Sequence, residues 1–309
     1  MKYIGLFKVK CAIRPALAFF AVYVLVLAGC TRELPPVEVD VNAKSAMITG
    51  ARTGEMLYEK DPDKRYPPAS TVKVMTAVVA VENMPLESEI VPTKKALRVE
   101  PTVAGLKTGV GYKLRDLLAA ILIKSANDAA VAIAESVSGS ETRFVELMNA
   151  KAVEIGMNDT RFANASGLPT GKKDRQYSTA RDLAKMMRYA LRYRVILDEM
   201  SKKEAYISGT DGREIYLKTH NKALLRYNDA PWGKTGYTIE ARRTFVGVDP
   251  SLNPMVVFSL LKSNDLWDDI MTLKRKGLEI YEEKRKNFFT DLIDWIRSQR
   301  RRGKVGTPH

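Results

Sequence analysis

Cysteine and histidine are scarce in this chain of 309 residues, which has two of each. Cys11 lies in an N-terminal stretch that we expect to be removed, which leaves Cys30 as the only cysteine of the processed chain. A disulfide and a cysteine-ligated metal site are then excluded, and His220 and His309 are too few for most zinc sites. We therefore expect neither a metal ion nor another cofactor.

Long apolar runs are also lacking, and the apolar stretch at residues 15–27 is too short for a confident membrane span. Four basic residues precede it: Lys2, Lys8, Lys10 and Arg14. This order is typical of a secretory signal. The signal ends in Leu27-Ala28-Gly29-Cys30, which resembles the bacterial lipobox, where cleavage leaves a lipidated N-terminal cysteine. We predict a lipoprotein signal peptide at 1–29, lipidation at Cys30 and a tether at 30–42.

The predicted lipid anchor places the protein in a bacterial cell envelope, facing the periplasm or the exterior. Thr31, rather than aspartate, follows the cysteine, and this resembles the outer-membrane sorting pattern of organisms with two membranes.

Positive charge is unevenly distributed along a chain whose formal net charge is +14. Residues 284–309 contain eight lysines and arginines against two aspartates. Such a basic end fits an anionic membrane surface better than a nucleic-acid groove, and no nucleic-acid-binding fingerprint is present. Residues 286–302 also place aromatic and aliphatic side chains on one helical face, which resembles an interfacial helix. The alternative is a last helix that packs this face onto the domain.

The pattern of apolar and turn residues predicts strands near both ends of the domain and helices between them. "SAMITGARTGEMLYEKD" predicts a hairpin, and strands return in "REIYLKTH", "TFVGVD" and "PMVVFSLL". Helices are predicted at 113–136, 141–155 and 266–302, with another that begins near Thr179-x-x-Asp182, close to a capping box. This order indicates an α+β architecture around a largely antiparallel sheet.

A hydroxyl and an amine lie one helical turn apart in "PPASTVKVMTA", residues 67–77. The prolines place Ser70 near a helix N-terminus, and Lys73 follows on the same face. A serine needs a base to become a nucleophile, and a lysine can serve if burial and nearby positive charge lower its pKa. His220 lies at a polar strand end without an accompanying aspartate, so a Ser-His-Asp triad is not expected.

Two further motifs follow in order along the chain. Ser125-Ala126-Asn127 stands at the head of an apolar helical run, and Lys234-Thr235-Gly236 is predicted to lie on a strand just before "TFVGV". Each motif alone is weak, since Ser-x-x-Lys occurs by chance in most proteins. The ordered set resembles the penicillin-binding protein and serine β-lactamase superfamily.

The surrounding sequence is similar to the D-alanyl-D-alanine carboxypeptidases of peptidase family S11, the low-molecular-mass penicillin-binding proteins. The similarity includes "AGLKTGVGYKLRDLLAAILIKSANDAAVAIAE" and "FVELMNAKAVEIGMNDTRFANASGLP" and extends over roughly residues 43–283. It implies a transpeptidase-like catalytic domain at 43–283, with an antiparallel sheet, flanking helices and a helical subdomain. Residues 284–309 would then form a basic amphipathic helix and tail.

The resemblance also implies roles for individual residues in cleaving peptidoglycan stem peptides and in reacting with β-lactam inhibitors. Ser70 would attack the carbonyl of the penultimate D-Ala, Lys73 would be its base, and Ser125 would relay a proton to the leaving group. Asn127 would hold the peptide, Lys234 would supply positive field, and Thr235 would bind the terminal carboxylate. The N–H groups of Ser70 and Tyr237 would form the oxyanion hole, and Gly236 would permit close backbone approach.

The chain departs from the family pattern at three places. Ser125-Ala126-Asn127 stands where the family often has Ser-Gly-Asn. Ala241-Arg242-Arg243-Thr244 stands where the family typically has Ala-Gly-x-Cys. The segment "SNDLWDD" lacks the arginine that helps many members to bind the substrate carboxylate. Arg242 or Arg243 is the candidate replacement.

Three other functions are compatible with the same motifs. A D,D-endopeptidase that cuts cross-links would use the same residues, and sequence does not separate it from a carboxypeptidase. A β-lactamase is disfavoured, because "FANASGLPTGKKDRQ" lacks the Glu-x-x-Leu-Asn pattern of class A enzymes. A non-catalytic, peptidoglycan-binding envelope lipoprotein is the remaining alternative.

Overall fold

The fold is described by a computed structural model that covers residues 41–171, 174–253 and 255–302. Its strands, in chain order, are β1 (Ser45–Gly50), β2 (Met56–Lys60), β3 (Glu89–Ile90), β4 (Tyr112–Lys113), β5 (Glu204–Ser208), β6 (Glu214–Lys218), β7 (Trp232–Thr238), β8 (Arg242–Asp249) and β9 (Val256–Ser263). Its helices are α1 (Lys73–Asn83), α2 (Leu114–Leu122), α3 (Asn127–Ser138), α4 (Glu141–Glu154), α5 (Ala180–Ala190), α6 (Arg194–Ser201), α7 (Lys222–Arg226) and α8 (Leu266–Arg302).

Five antiparallel strands form the main sheet in the order β2-β1-β9-β8-β7. The inner strands β1, β8 and β9 are almost entirely buried, which explains their long apolar runs. The predicted hairpin is confirmed as β1 and β2. "TFVGVD" and "PMVVFSLL" are confirmed as parts of β8 and β9, and with the helices around the sheet this confirms the α+β prediction.

One residue is inserted into β9 opposite β8. The pairing passes from Phe245↔Leu260 to Arg243↔Ser263, so β8 moves by two residues while β9 moves by three. Such an insertion is a β-bulge, which bends the strand and redirects a side chain. Lys262 lies in the bulge with a φ of 55°, a conformation that normally favours glycine.

Helix α1 is the centre of the helical layer, and every residue from Lys73 to Ala80 is buried. Alanine-rich α3 packs against it, and small side chains allow the two helices to approach closely. A single helix was expected at 113–136, and this prediction is wrong. The helix ends after α2 and restarts as α3, because Ser125 has a φ of 64° and Ala126 is extended. A left-handed residue cannot continue a right-handed helix.

Other local predictions have mixed outcomes. The helix expected at 141–155 is confirmed as α4, and Thr179 caps α5 by accepting a hydrogen bond from the Asp182 N–H at 3.0 Å. The Asp182 carboxylate instead accepts hydrogen bonds from the Asp159 N–H and from the Thr160 hydroxyl. One hydrogen bond of the capping box therefore forms, from the Asp182 N–H to the Thr179 hydroxyl, whereas the reciprocal bond from the Thr179 N–H to the Asp182 carboxylate does not. The strand in "REIYLKTH" is β6, but it pairs with β5 in a separate two-stranded sheet.

Asp269 in α8 fixes the first described residues to the domain. Its carboxylate accepts hydrogen bonds from the N–H groups of Asn42 at 2.6 Å and Ala43 at 2.8 Å, and from the Ser263 hydroxyl at 2.6 Å. Burial raises the pKa of this carboxyl. The predicted signal peptide, Cys30 and the tether up to residue 40 lie outside the described residues.

Helix α8 confirms the helical prediction for 266–302 and has 37 residues. Its N-terminal part buries Leu266, Ile270 and Leu273 against the domain. Most side chains beyond Glu283 lie outside the described set, so the proposed apolar face of 286–302 stays a prediction. Within the described part of the chain, no helix combines the length and apolarity needed to cross a membrane.

Candidate active site

Ser70 lies in a 3-10 turn, Ala69–Val72, that leads directly into α1. Its neighbour Ala69 has a φ of 49°, which costs energy for a residue with a side chain. Gly167 packs against this turn so closely that a Cβ at Gly167 would lie 2.1 Å from the Ala69 carbonyl oxygen. The turn is therefore held in an unfavourable conformation by its neighbours, and Ser70 opens onto a cleft of about 690 Å³.

Lys73 brings three oxygen atoms together around its amine, which is fully buried. Its Nζ lies 3.0 Å from Ser70 Oγ and 2.7 Å from Asn127 Oδ1, and it donates a third hydrogen bond to the Ser166 carbonyl oxygen. The first residues of α1 and α3 and the loop around Ser166 thus converge on one nitrogen atom.

The two lysines of the site, Lys73 and Lys234, are buried, and neither forms an ion pair with a carboxylate of the residues that the structure describes. Burial, and then the positive charge of Lys234, lower the pKa of Lys73 well below its usual range, against a weaker opposing effect of Asp128. Burial also lowers the pKa of Lys234 to about 7. Lys234 Nζ donates a hydrogen bond to the Thr235 carbonyl oxygen at 2.6 Å. A charge removed from water without a counter-ion is unfavourable, so both amines lose protons readily.

The loop that presents the Ser166 carbonyl is braced by Asn164. The Asn164 side chain accepts a hydrogen bond from the Gly167 N–H at 2.7 Å and donates one to the Leu168 carbonyl oxygen at 2.9 Å. Sequence reasoning missed this group, because the functional atom belongs to the backbone. The only available signal was the "NASGL" segment within the family resemblance.

Strand β7 carries the Lys-Thr-Gly motif past the nucleophile, as predicted. A Cβ at Gly236 would lie 2.7 Å from the Ser70 nitrogen, so only glycine permits this approach. Thr235 and Tyr237 line the cleft on either side of Gly236, and Tyr237 is exposed. The backbone nitrogen of Ser70 therefore lies close to β7 at Gly236.

The Ser125-Ala126-Asn127 motif lies at the junction of α2 and α3. Asn127 is buried against Lys73, and its N–H donates to the Thr102 carbonyl oxygen at 2.7 Å. Ser125 lines the cleft, but its hydroxyl makes no hydrogen bond to any residue that the structure describes. Asp128 accepts hydrogen bonds from three consecutive N–H groups, of Ala104, Gly105 and Leu106, and so fixes the loop that carries Thr102.

The far wall of the cleft contains groups that sequence reasoning did not place there. His220 lines the cleft, and burial, followed by the charges of nearby lysines, lowers its pKa to about 4. It is neutral near pH 7 and forms no hydrogen bond with Ser70. Of the two arginines that were considered for carboxylate binding, Arg243 lines the cleft opposite Tyr237, whereas Arg242 does not.

The arrangement joins a hydroxyl and two buried amines with lowered pKa values beside one cleft. These groups can perform nucleophilic attack with a lysine base on a carbonyl compound. Among the described residues, no cluster of three or more metal-ligating side chains is present.

Comparisons with known proteins agree with this chemistry. Residues 31–259 match the family Peptidase S11, described as D-alanyl-D-alanine carboxypeptidase. The D-alanyl-D-alanine carboxypeptidase DacB2 of Mycobacterium tuberculosis is 33% identical over 76% of this chain and 81% of its own length. DacF of Bacillus subtilis is also 33% identical, over 66% of this chain, but the match spans only 53% of that protein.

A D-alanyl-D-alanine endopeptidase of Pseudomonas aeruginosa is 30% identical over 68% of each chain. The crystal structure of a D-alanyl-D-alanine carboxypeptidase from Mycobacterium tuberculosis has a TM-score of 0.74 and 32% identity, over 79% of this chain and 94% of that one. The transpeptidase-like fold predicted from the motifs is therefore confirmed. The chain belongs to the D-alanyl-D-alanine carboxypeptidase family, peptidase S11, and is a serine peptidase of that family.

Proposed function

We propose that the protein is a D,D-carboxypeptidase that removes the terminal D-Ala from peptidoglycan stem peptides through an acyl-enzyme on Ser70. The observation that carries this proposal is the buried Lys73 Nζ, 3.0 Å from Ser70 Oγ, with its pKa lowered. A base at this distance can take the hydroxyl proton directly.

The partners of Lys73 support its role as a base. A neutral amine has two N–H donors and one lone pair. The Asn127 Oδ1 and Ser166 carbonyl oxygens can only accept hydrogen bonds, so they take both N–H donors. The lone pair is then left for the third neighbour, the Ser70 hydroxyl, which donates its proton to Nζ.

In the proposed acylation, Ser70 Oγ attacks the carbonyl carbon of the penultimate D-Ala while its proton passes to Lys73. The N–H groups of Ser70 and Tyr237 stabilise the oxyanion. The C–N bond then breaks, and the proton passes from Lys73 through Ser125 to the departing amine of D-Ala. Water hydrolyses the ester in the second half of the reaction and restores the serine.

The substrate's terminal carboxylate is proposed to bind between Thr235 and Arg243. Both residues line the cleft beside Ser70, and the buried Lys234 adds positive field behind them. This assignment gives Arg243 the task that an arginine after the last strand performs in many family members. Arg243→Ala should raise KM for D-Ala-D-Ala peptides and leave the acyl-enzyme hydrolysis rate unchanged.

The decisive test combines fluorescent penicillin labelling with digestion of purified muropeptides and mass spectrometry. Wild type should form a covalent adduct on Ser70 and release one D-Ala per pentapeptide, and Ser70→Ala should do neither while it keeps its thermal stability. An adduct on another serine would contradict the assignment. Absence of both labelling and D-Ala release would favour a binding lipoprotein, and rapid loss of label would favour a β-lactamase.

A D,D-endopeptidase is the second candidate, because relatives of that name match the chain as extensively as most of the carboxypeptidases do. Both reactions use the same groups on different peptides. Cross-linked muropeptide dimers in the same digestion separate them. Conversion of dimers to monomers, with pentapeptides left intact, would establish the endopeptidase.

We further propose that the protein is held on a membrane of the cell envelope by a lipidated Cys30, and that the helix end at 286–302 adds to this contact. The lipobox motif supports the first part. The basic composition of 284–309 and the exposure of Ile293 support the second.

Cys30→Ser should abolish incorporation of labelled palmitate and release soluble or uncleaved protein. A protein without Cys30, with and without residues 286–309, should then be sedimented with anionic and neutral vesicles. Binding to anionic vesicles that requires residues 286–309 supports the helix contact. Failure to bind either vesicle type, together with reduced thermal stability on truncation, would show that this helix packs onto the domain.

A further inference from the structure

A second cleft, of about 420 Å³, lies on the other side of the Ser70 turn, the 3-10 turn at Ala69–Val72. We name it the upstream cleft, and the residues that matter here are Ala69, Gly167, Gln176, Arg175, Thr238 and Lys262. We propose that it binds a carboxylate of the stem peptide that lies upstream of the D-Ala-D-Ala end. This inference rests on the proposed function and adds a determinant of substrate choice to it.

The direction of β7 determines where the upstream part of a substrate would lie. A peptide whose terminal carboxylate is at Thr235 and whose reacting carbonyl faces Tyr237 continues along the outer edge of β7 towards Thr238. Three residues of strand span about 10 Å, which is the length of the two D-Ala residues and the diamino acid before them. Because Thr238 lines the upstream cleft, the diamino acid and the preceding D-glutamate arrive there.

Lys262 is the positive group best placed to bind an anion in this cleft. Its Nζ lies 5.4 Å from the ring centroid of Tyr66, and it forms no ion pair with any acid that the structure describes. The β9 bulge directs it there with a φ of 55°, where glycine would be unstrained. A lysine kept in a strained backbone conformation beside a reactive centre suggests that its charge is used.

Two neighbouring side chains fit a peptide ligand with an anionic group. Arg175 is only loosely paired, 3.8 Å from Glu240, and both side chains are more than half exposed. Gln176 is only 6% exposed, and its Oε1 has no hydrogen-bond partner among the described residues, whereas its Nε2 donates to the Leu168 carbonyl. The cleft thus offers cations for a carboxylate and a buried acceptor for a peptide N–H.

Stem peptides carry an upstream carboxylate in two chemically distinct places. One is the free α-carboxylate of the γ-linked D-glutamate, which is lost when this residue is amidated. The other is the second carboxylate of meso-diaminopimelate, which is missing when lysine is the diamino acid. Four soluble pentapeptides that combine these two choices therefore distinguish the sources.

The experiment measures kcat and KM for D-Ala release from the four peptides. With wild type, KM should be about five- to tenfold higher for the peptides that lack whichever of the two carboxylates the upstream cleft binds. The value of kcat should change little, as expected for one partly exposed charge contact. In Lys262→Gly and Lys262→Gln this difference should disappear. Lys262→Gly relieves the backbone strain, so a loss of discrimination in this variant is not a folding defect.

Lys64→Gln is the matched control. The Lys64 ammonium also lies over the Tyr66 ring, at 5.9 Å, but this residue does not line the upstream cleft, so the discrimination should persist. Equal KM values for all four peptides with wild type, or discrimination that survives Lys262→Gly, would overturn this inference. Neither result would contradict the proposed carboxypeptidase activity. A protein that neither reacts with penicillin nor releases D-Ala would overturn the proposed function, and this inference with it.

Discussion

At the scale of single residues, the site depends on the absence of a side chain at Gly236. An added Cβ would lie 2.4 Å from Thr244 Oγ1 and 2.7 Å from the Ser70 nitrogen, so β7 and the Ser70 turn would have to separate. We expect Gly236→Ala to lower the free energy of unfolding by about 1–3 kcal/mol. Penicillin acylation should fall at least about 100-fold, because the oxyanion donors move apart.

Gly171→Ala is the control for Gly236→Ala, since no atom of the described part of the chain lies within 4 Å of a Cβ at Gly171. Acylation kinetics and chemical denaturation of both variants check the expectation. An active Gly236→Ala protein would show that the close approach of β7 to Ser70 is not required.

The proposed protonation state of Lys73 makes acylation dependent on pH. Burial and Lys234 lower the pKa of Lys73, so the neutral, proton-accepting amine becomes more populated as pH rises through that lowered pKa. The acylation rate with penicillin should rise correspondingly and then level off. A flat stopped-flow profile between about pH 6 and 10 would contradict the lysine base.

Lys234 should also make the free energy of unfolding depend on pH. Its pKa is about 7 in the native state and 10.5 ordinarily, so between these values the unfolded chain holds more protons than the native state. The free energy of unfolding should therefore increase with pH across this window, by roughly 3–5 kcal/mol for Lys234, and the penalty is constant below it. Urea denaturation of wild type and Lys234→Met from pH 6 to 10 should show a smaller increase for the variant. Parallel curves would mean that Lys234 is not desolvated.

At the scale of elements, the loop from Asn164 to Leu168 determines where the Ser166 carbonyl meets Lys73. Asn164→Ala removes the three side-chain hydrogen bonds that brace this loop, to the Gly167 N–H, the Leu168 carbonyl and the Ser166 hydroxyl. We expect acylation to slow about 10- to 100-fold, because the acceptor that orients Lys73 is displaced. The midpoint of the acylation pH profile should also shift, which a purely structural defect would not cause.

Asn83→Ala is the matched control for Asn164→Ala. Asn83 lies on the same helix as Lys73, but among the described residues its side chain forms a hydrogen bond only with the Val79 carbonyl of its own helix. Its acylation rate and pH profile should match those of wild type. A wild-type pH midpoint in Asn164→Ala would mean that the loop does not orient Lys73.

The same elements show what the sequence could and could not predict. The hairpin and the start of α5 were predictable, because local turn and capping chemistry determine them. The three motifs were identified only through their order along the chain and the family resemblance. The break at Ser125 was not, since no glycine or proline marks it and only tertiary packing holds its left-handed conformation. The Ser166 carbonyl and the placement of Arg243 and Lys262 depend on a loop conformation and on sheet register. Neither leaves a periodic pattern in the chain.

For the molecule as a whole, Asp269 joins the start of the described chain to the last helix. In the native protein the two carboxylate oxygens of Asp269 accept hydrogen bonds from the Asn42 and Ala43 N–H groups. Asp269→Asn keeps the shape of the side chain but leaves only one oxygen to accept them. We expect a loss of about 1–3 kcal/mol, seen as a midpoint of thermal unfolding lowered by roughly 3–8 °C. Limited proteolysis should become faster near residues 41–43.

Asp268→Asn changes the neighbouring, exposed aspartate and should leave both measurements unchanged. Equal stability of the two variants would mean that the Asp269 contacts do not hold the chain start in place.

The position of β7 at the margin of the sheet also bears on how the protein behaves at high concentration. An uncovered strand is a template on which a second molecule can add its own strand, and aggregation begins this way in many β proteins. Here β7 ends the sheet order, and none of the described strands pairs with its outer edge. The proposed substrate would lie along this same edge, so a bound stem peptide would also cover the groups with which a second molecule could pair.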